Sequence, residues 1–345
     1  MTIRKISTAI LGGSLITALS FSTDLVADSA LPAVYLDDAT IAGDVNFSEI
    51  KASGFYQGLV ERGIIDEEEL QQEPEVAEFL EAVDLDIDSL NRIVVNASGL
   101  AFDPEMMDIN PANLNISGGA ELKASLSAEA FNNFISNHAM AEDLVTAERQ
   151  GYTYFIAKEQ YDDEPEFSFG LFDGEEFSVV FFGDKNSVAQ SFDKAVAGHG
   201  ELTASLAAAG PVMLRDSNAS ILFSLSDEMR ELIREGIQED PMMAGMLQPL
   251  ANLQTFGIGL KIEDDLDLTI AAQFPSDRDA SSLQMSLQGL IGMAMGQAGQ
   301  MPGGVPGPLE KLEIKADGPI LRINTNVTLT DLDDLMENLG PMFQF

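Results

Sequence analysis

Hydrophobic spacing along this chain of 345 residues switches between a period of two and a period of three to four, twice over and in the same order. No other feature constrains the fold as much, because strands and helices bury different spacings and cannot exchange roles. The first pass opens with an extended apolar stretch at 33–36. Helical spacing follows over 47–61, then a second helix has Pro74 at its first position. Residues 93–97 and 114–122 read as strands, and Ser127 caps a helix whose stripe is Phe131, Phe134 and Ile135. Strands over 152–157, 167–172 and 177–182 come next, the last two joined through Asp173-Gly174, a hairpin signal. Val188, Phe192 and Val196, four apart, mark a closing helix.

The second pass repeats the plan. A strand at 220–225 precedes a helix begun by Ser226, and Asp240-Pro241 begins another. Residues 256–262 and 266–274 form a hairpin over the acidic turn Glu263-Asp264-Asp265. Ser276 with Asp279 makes a capping box that opens a helix reaching 298. Strands at 312–315 and 320–327 then turn across Asp317-Gly318-Pro319, and a second capping box, Thr330 with Asp333, starts the last helix.

Hairpins separated by helices predict an α+β fold: two tandem related units, each an antiparallel sheet with helices packed on one face, in the order strand, helices, hairpin, helix, hairpin, helix. The expected boundaries are an export leader at 1–27, a first unit at 28–200, a linker at 201–217 where Ala and Gly cluster, and a second unit at 218–345. The match between passes is one of element order and points to an internal repeat.

The leader rests on Arg4 and Lys5 ahead of an apolar run over 6–21, shorter than a bilayer-spanning helix, with small residues suited to cleavage near Ala27, or at Ser20 or Ser22. It directs the chain to the periplasm or to secretion. There is no cysteine, which excludes a disulfide scaffold, a thiolate metal site and a Cys nucleophile.

Charge narrows the partners. With 57 Asp and Glu against 18 Lys and Arg the formal net charge is -39, so nucleic acid and anionic membrane surfaces are repelled. The acids concentrate in loops and outer helix faces, notably over 37–88, where a cationic partner would dock.

Residues that could carry chemistry are few. The two histidines, His138 and His199, adjoin no nucleophile motif. Glu121, Glu159 and Glu166 are carboxylates available to a hydrolase, but the chain has no Trp to furnish a sugar platform. Asp84, Asp86 and Asp88 alternate like the first ligands of a calcium loop, yet Ser89 and Val95 stand where that loop needs Gly and Glu. Asp264, Asp265 and Asp267 share a turn, which makes them a second candidate for weak calcium binding. Met293 and Met295 have the spacing of a copper pair, but on a helix they diverge by about 200°. Gly289, Gly292 and Gly296 lie in an apolar helix ahead of a loop with five glycines and three prolines over 296–308, the form of a slot for a small apolar ligand or a partner helix. The expectation is an exported, soluble, non-catalytic binding or scaffold protein without a cofactor. The alternatives are a hydrolase using acidic residues or a divalent ion, and an apolar-ligand carrier.

Overall fold

The computed structural model describes residues 31–66, 87–99, 101–103, 108–110, 115–123, 126–137, 141–158, 166–174, 177–198, 200–214, 216–239, 247–298 and 307–333. The leader, the helix predicted at Pro74 and the start predicted at Asp240-Pro241 lie outside them.

A 3-10 turn, Leu31–Val34, leads to β1 (Ile41–Asn46), α1 (Phe47–Ala52) and α2 (Gly54–Glu61). Then come β2 (Leu90–Ser98), the short strands β3 (Ala101–Asp103) and β4 (Asp108–Asn110), β5 (Asn115–Leu122) and α3 (Ala128–Asn137). β6 (Leu144–Arg149), β7 (Tyr152–Ala157), β8 (Phe167–Asp173) and β9 (Ser178–Asp184) form an unbroken meander closed by α4 (Lys185–Ala197). The rest of the chain supplies α5 (Ala204–Met213), β10 (Ala219–Ser224), α6 (Asp227–Glu239), a 3-10 turn at Gln248–Asn252, β11 (Thr255–Ile262) and β12 (Leu266–Gln273). It ends in α7 (Asp277–Ala298), α8 (Gly307–Glu310), β13 (Glu313–Asp317) and β14 (Ile320–Val327), followed by a helical turn at 329–333.

The fold is α+β, and its strand pairings are antiparallel. Twelve strands form one sheet in the order β13-β14-β12-β11-β10-β1-β2-β5-β9-β8-β7-β6, with β3 and β4 apart as a ribbon. β1 and β10 meet near its middle, with five strands on one side of the junction and seven on the other, in register from Ile41↔Phe223 to Val45↔Ala219. Outward from that seam each half runs through its first three strands, then its last, then the one before; the first half adds β7 and β6.

Side-chain alternation explains why the seam holds. On one face Gly43, Ile221, Ile258, Ile270, Ile323 and Ile314 stand in one row across six strands, so shifting any strand by one residue would turn its apolar members over. On the other face Leu222, Gly257 and Ala271 meet α5. A Cβ on Gly257 would stand 2.9 Å from Leu214 and 2.8 Å from Leu222, so only glycine lets that helix end sit so close.

Helices cover both faces, a finer arrangement than the one-sided packing drawn from hairpin order. Phe131 and Ile135 of α3 pack with Phe155, whereas Val188 and Phe192 of α4 pack with Tyr154 and Ile156. Neighbours in a strand point to opposite sides, so α3 and α4 flank the sheet. Ala271 and Ala272 make the same division between α5 and the Ala280 and Leu283 stripe of α7. Strands that are apolar at consecutive positions require this.

Local details also differ from expectation. The stretch at 33–36 is not the first strand: Asn96 captures it, accepting from the Leu36 N–H at 2.8 Å and donating to the Val34 carbonyl at 2.8 Å. The helix predicted over 47–61 breaks at Ser53, whose extended backbone restarts it and whose hydroxyl accepts from the Tyr56 N–H. Residues 201–217 contain α5, with Leu206 and Met213 in the core, so the halves are joined by a packed helix. The Ser276 and Asp279 box is present. The last box falls two residues early, on Thr328 and Asp331, and Asp333 pairs with Arg62 instead.

Candidate functional site

Among the described residues, a buried group of charged side chains gathers beside the seam. Asp44 in β1, Arg92 in β2 and Glu121 in β5 occupy three adjacent strands, with Asn46↔Arg92 and Arg92↔Glu121 in register. By alternation Asp44 shares its face with Asn46, two residues on, so all three charged side chains emerge on one side. The face is that of Ala42, Val94 and Phe181, roofed by the segment that begins at Leu31.

Arg92 presents its guanidinium as a fork: Nε donates to Asp44 Oδ1 at 2.7 Å and Nη2 donates to Oδ2. Asn91 Nδ2 donates to Glu121 Oε1. Asp44 is 1% exposed, and burial pushes its carboxyl up to about 6. The Arg92 bonds and charge pull it back in part, while the charges of Glu121 and Glu49 push it further up. Burial alone would lower the Arg92 value, but Asp44 outweighs this and holds the guanidinium charged. The buried Tyr35 hydroxyl is raised by desolvation and then by the Asp44 charge. One cation thus serves two acids in a site poor in water.

Chemically this cluster is a buried, hydrogen-bonded ion pair with a second acid beside it. Both Asp44 oxygens face Arg92, so the carboxylate is committed to a neighbour in the fold. Its surroundings tie the 31–39 segment to the sheet: Asn96 clamps Val34 and Leu36, and Lys194 of α4 donates to the Tyr35 carbonyl and pairs with Asp37 at 2.9 Å.

The residues singled out from sequence are dispersed. Asp88 is exposed and paired with Lys51, while Asp84 and Asp86 lie outside the described residues. Asp265 and Asp267 accept from Asn326 Nδ2, at 3.5 and 2.8 Å, and Asp264 lies against Gly54. Among the described residues no group of three or more His, Asp or Glu is arranged to hold a metal ion. Gly289, Gly292 and Gly296 have nothing within 4 Å of an added Cβ. They lie on the outer side of α7 with Met285 and Met293, 67% and 57% exposed, because Ala280 and Leu283 take the side facing the sheet. Glu166 pairs with Lys185; Glu159, His138 and His199 lie outside the described residues. Among the described residues no helix is long and apolar enough to cross a membrane.

Asp44 and Arg92 do not stand out in the sequence. The available signal was parity: in Ile41-Ala-Gly-Asp-Val-Asn the acid takes the same inward face as Ala42, and an inward acid demands an inward base on a neighbouring strand.

Comparison with known protein families, with curated proteins and with solved structures finds no match to this chain.

Proposed function

We propose that this chain is an exported, non-catalytic binding or scaffold protein, built by duplication of one α+β unit. The observation that carries this reading is the commitment of Asp44: the acid whose proton affinity is most altered is locked by both oxygens to Arg92. A general acid or base must instead reach a substrate atom within about 3 Å. Export is supported by Arg4, Lys5 and the apolar run over 6–21. Duplication is supported by the shared strand order on either side of the seam. The purified mature chain is expected to show no turnover across a panel of ester, phosphate, glycoside and peptide substrates. Turnover lost in Asp44→Asn or Glu121→Gln would overturn the proposal.

A second reading has one observation in its favour. Asp44 and Glu121 are buried acids around one cation, and a carboxyl near 6 suits acid catalysis. It requires Arg92 to release Asp44 when substrate binds. An acidic-residue hydrolase would therefore gain activity in Arg92→Lys, which breaks the fork; a purely binding protein would show none in either form.

A further inference from the structure

The two outer edges of the sheet are built differently. At one end β13 reads Glu313-Ile-Lys-Ala-Asp317, with a charged side chain at every outward position, a common protection against unwanted strand pairing. At the other end β6 reads Leu144-Val-Thr-Ala-Glu-Arg149, without proline or lysine, and Val145 is 47% exposed. The turn between β6 and β7 is Gln150-Gly151, both with positive φ, a two-residue hairpin that fixes Arg149 and Tyr152 as a hydrogen-bonded pair. At the other end of the ladder the Lys158 N–H donates to the Asp143 carbonyl. By alternation Val145, Ala147 and Arg149 spend their backbone groups on β7, while Leu144, Thr146 and Glu148 turn theirs outward. Among the described residues nothing pairs with that outer row.

We infer that the β6 edge is a docking site for an extended, basic peptide segment of another protein, which adds as a thirteenth strand. The inference rests on the binding reading above and names the site and the chemistry of the partner. Main-chain bonds to Leu144, Thr146 and Glu148 supply the pairing, and alternate partner side chains fall on opposite faces. One set lies against Val145 and Ala147 and is apolar. The other meets Thr146, Glu148 and the exposed Glu142, so it is basic. The nearby bases are already engaged: Arg149 pairs with Asp193, and Lys158 Nζ donates to the Glu142 carbonyl. A second copy of the chain is a poor occupant, because each copy carries a net charge of -39 and the edges would repel.

The test uses the mature chain and a fluorescein-labelled probe, acetyl-Lys-Val-Lys-Val-Lys-Val-Lys-Val-amide. Fluorescence anisotropy at 150 mM salt measures binding, and hydrogen exchange reports where it occurs. The expected result is saturable binding, slowed exchange of the Leu144, Thr146 and Glu148 amides, and at least tenfold weaker binding in Thr146→Pro. That substitution removes an outward N–H while leaving the β7 ladder intact. Glu148→Lys, which keeps every backbone donor, is expected to weaken the probe to a smaller extent and more at low salt. No saturable binding, or binding with protection elsewhere and no effect of Thr146→Pro, overturns the inference; the latter leaves the binding reading standing. Sedimentation showing a dimer that Thr146→Pro converts to monomer also overturns it, in favour of a second copy. Turnover in the substrate panel would overturn the binding reading without moving the edge result.

Discussion

Replacing Asp44 by Asn isolates the cost of placing a charge beside the seam. Asn keeps the size of the side chain and one acceptor for Arg92, but has no proton to lose. In the native chain the folded carboxyl titrates at about 6 against an ordinary 3.8, so between those values the folded state holds a proton that the unfolded state has released. Stability from this group is therefore fully present below pH 3.8 and declines as pH rises, the loss being complete above pH 6. The gap corresponds to about 3 kcal/mol. Between pH 4 and pH 8 the native chain should lose about 2 to 3 kcal/mol relative to Asp44→Asn, since at pH 4 the unfolded state is already partly ionised. The assay is urea unfolding of both proteins at pH 4, 5, 6 and 8, taking midpoints only where the slopes agree. Comparing the two cancels the titration of the other acids. Parallel stability curves would refute the reasoning. A native chain that gained on the variant as pH rose would reverse it, showing that Arg92 outweighs burial.

Other substitutions probe the packing. Phe192→Ala removes a fully buried ring that stacks on Tyr152 at 5.3 Å and meets Phe181 edge-on at 5.2 Å; it should cost about 3 to 5 kcal/mol in urea unfolding. Gly183→Ala sets a Cβ 2.1 Å from the Ile116 carbonyl oxygen at φ 140, so a loss of about 3 kcal/mol is expected and a neutral result would contradict the backbone path. On the outer side of α7, Gly289→Ala meets nothing and should raise stability by up to about 1 kcal/mol, visible as a higher Tm. Arg92→Met leaves Asp44 without its counter-charge and should cost about 3 to 5 kcal/mol at pH 8, and less at pH 5.

Much of the fold was legible because one signal dominated. The hairpin at 255–273, the helix opened by the Ser276 and Asp279 box and the hairpin at 313–327 all have apolar spacing that local sequence decides. What stayed hidden depended on partners distant in the chain. Residues 33–36 look like a strand, but Asn96, some sixty residues on, holds them as a roof. α5 is apolar on nearly every side, so it shows no stripe, and its burial follows from the seam it covers. β6 alternates poorly because it is exposed on both sides at the end of the sheet. Asp44 resembled one acid among fifty-seven; only the pairing of β1 with β2 reveals that it faces Arg92.

The seam also sets the order of events during folding. Gly43 finds its neighbour in Ile221, so the central strand of the sheet waits for more than half the chain before its second edge is filled. Contacts this distant in sequence slow folding and leave a half-built sheet with an open apolar row. A chain that emerges from its amino end must keep that row from meeting other copies in the meantime. The surplus of acids spread along it supplies a repulsion that operates while the chain is still unfolded, so the charge that limits the partners of the finished protein also protects the unfinished one.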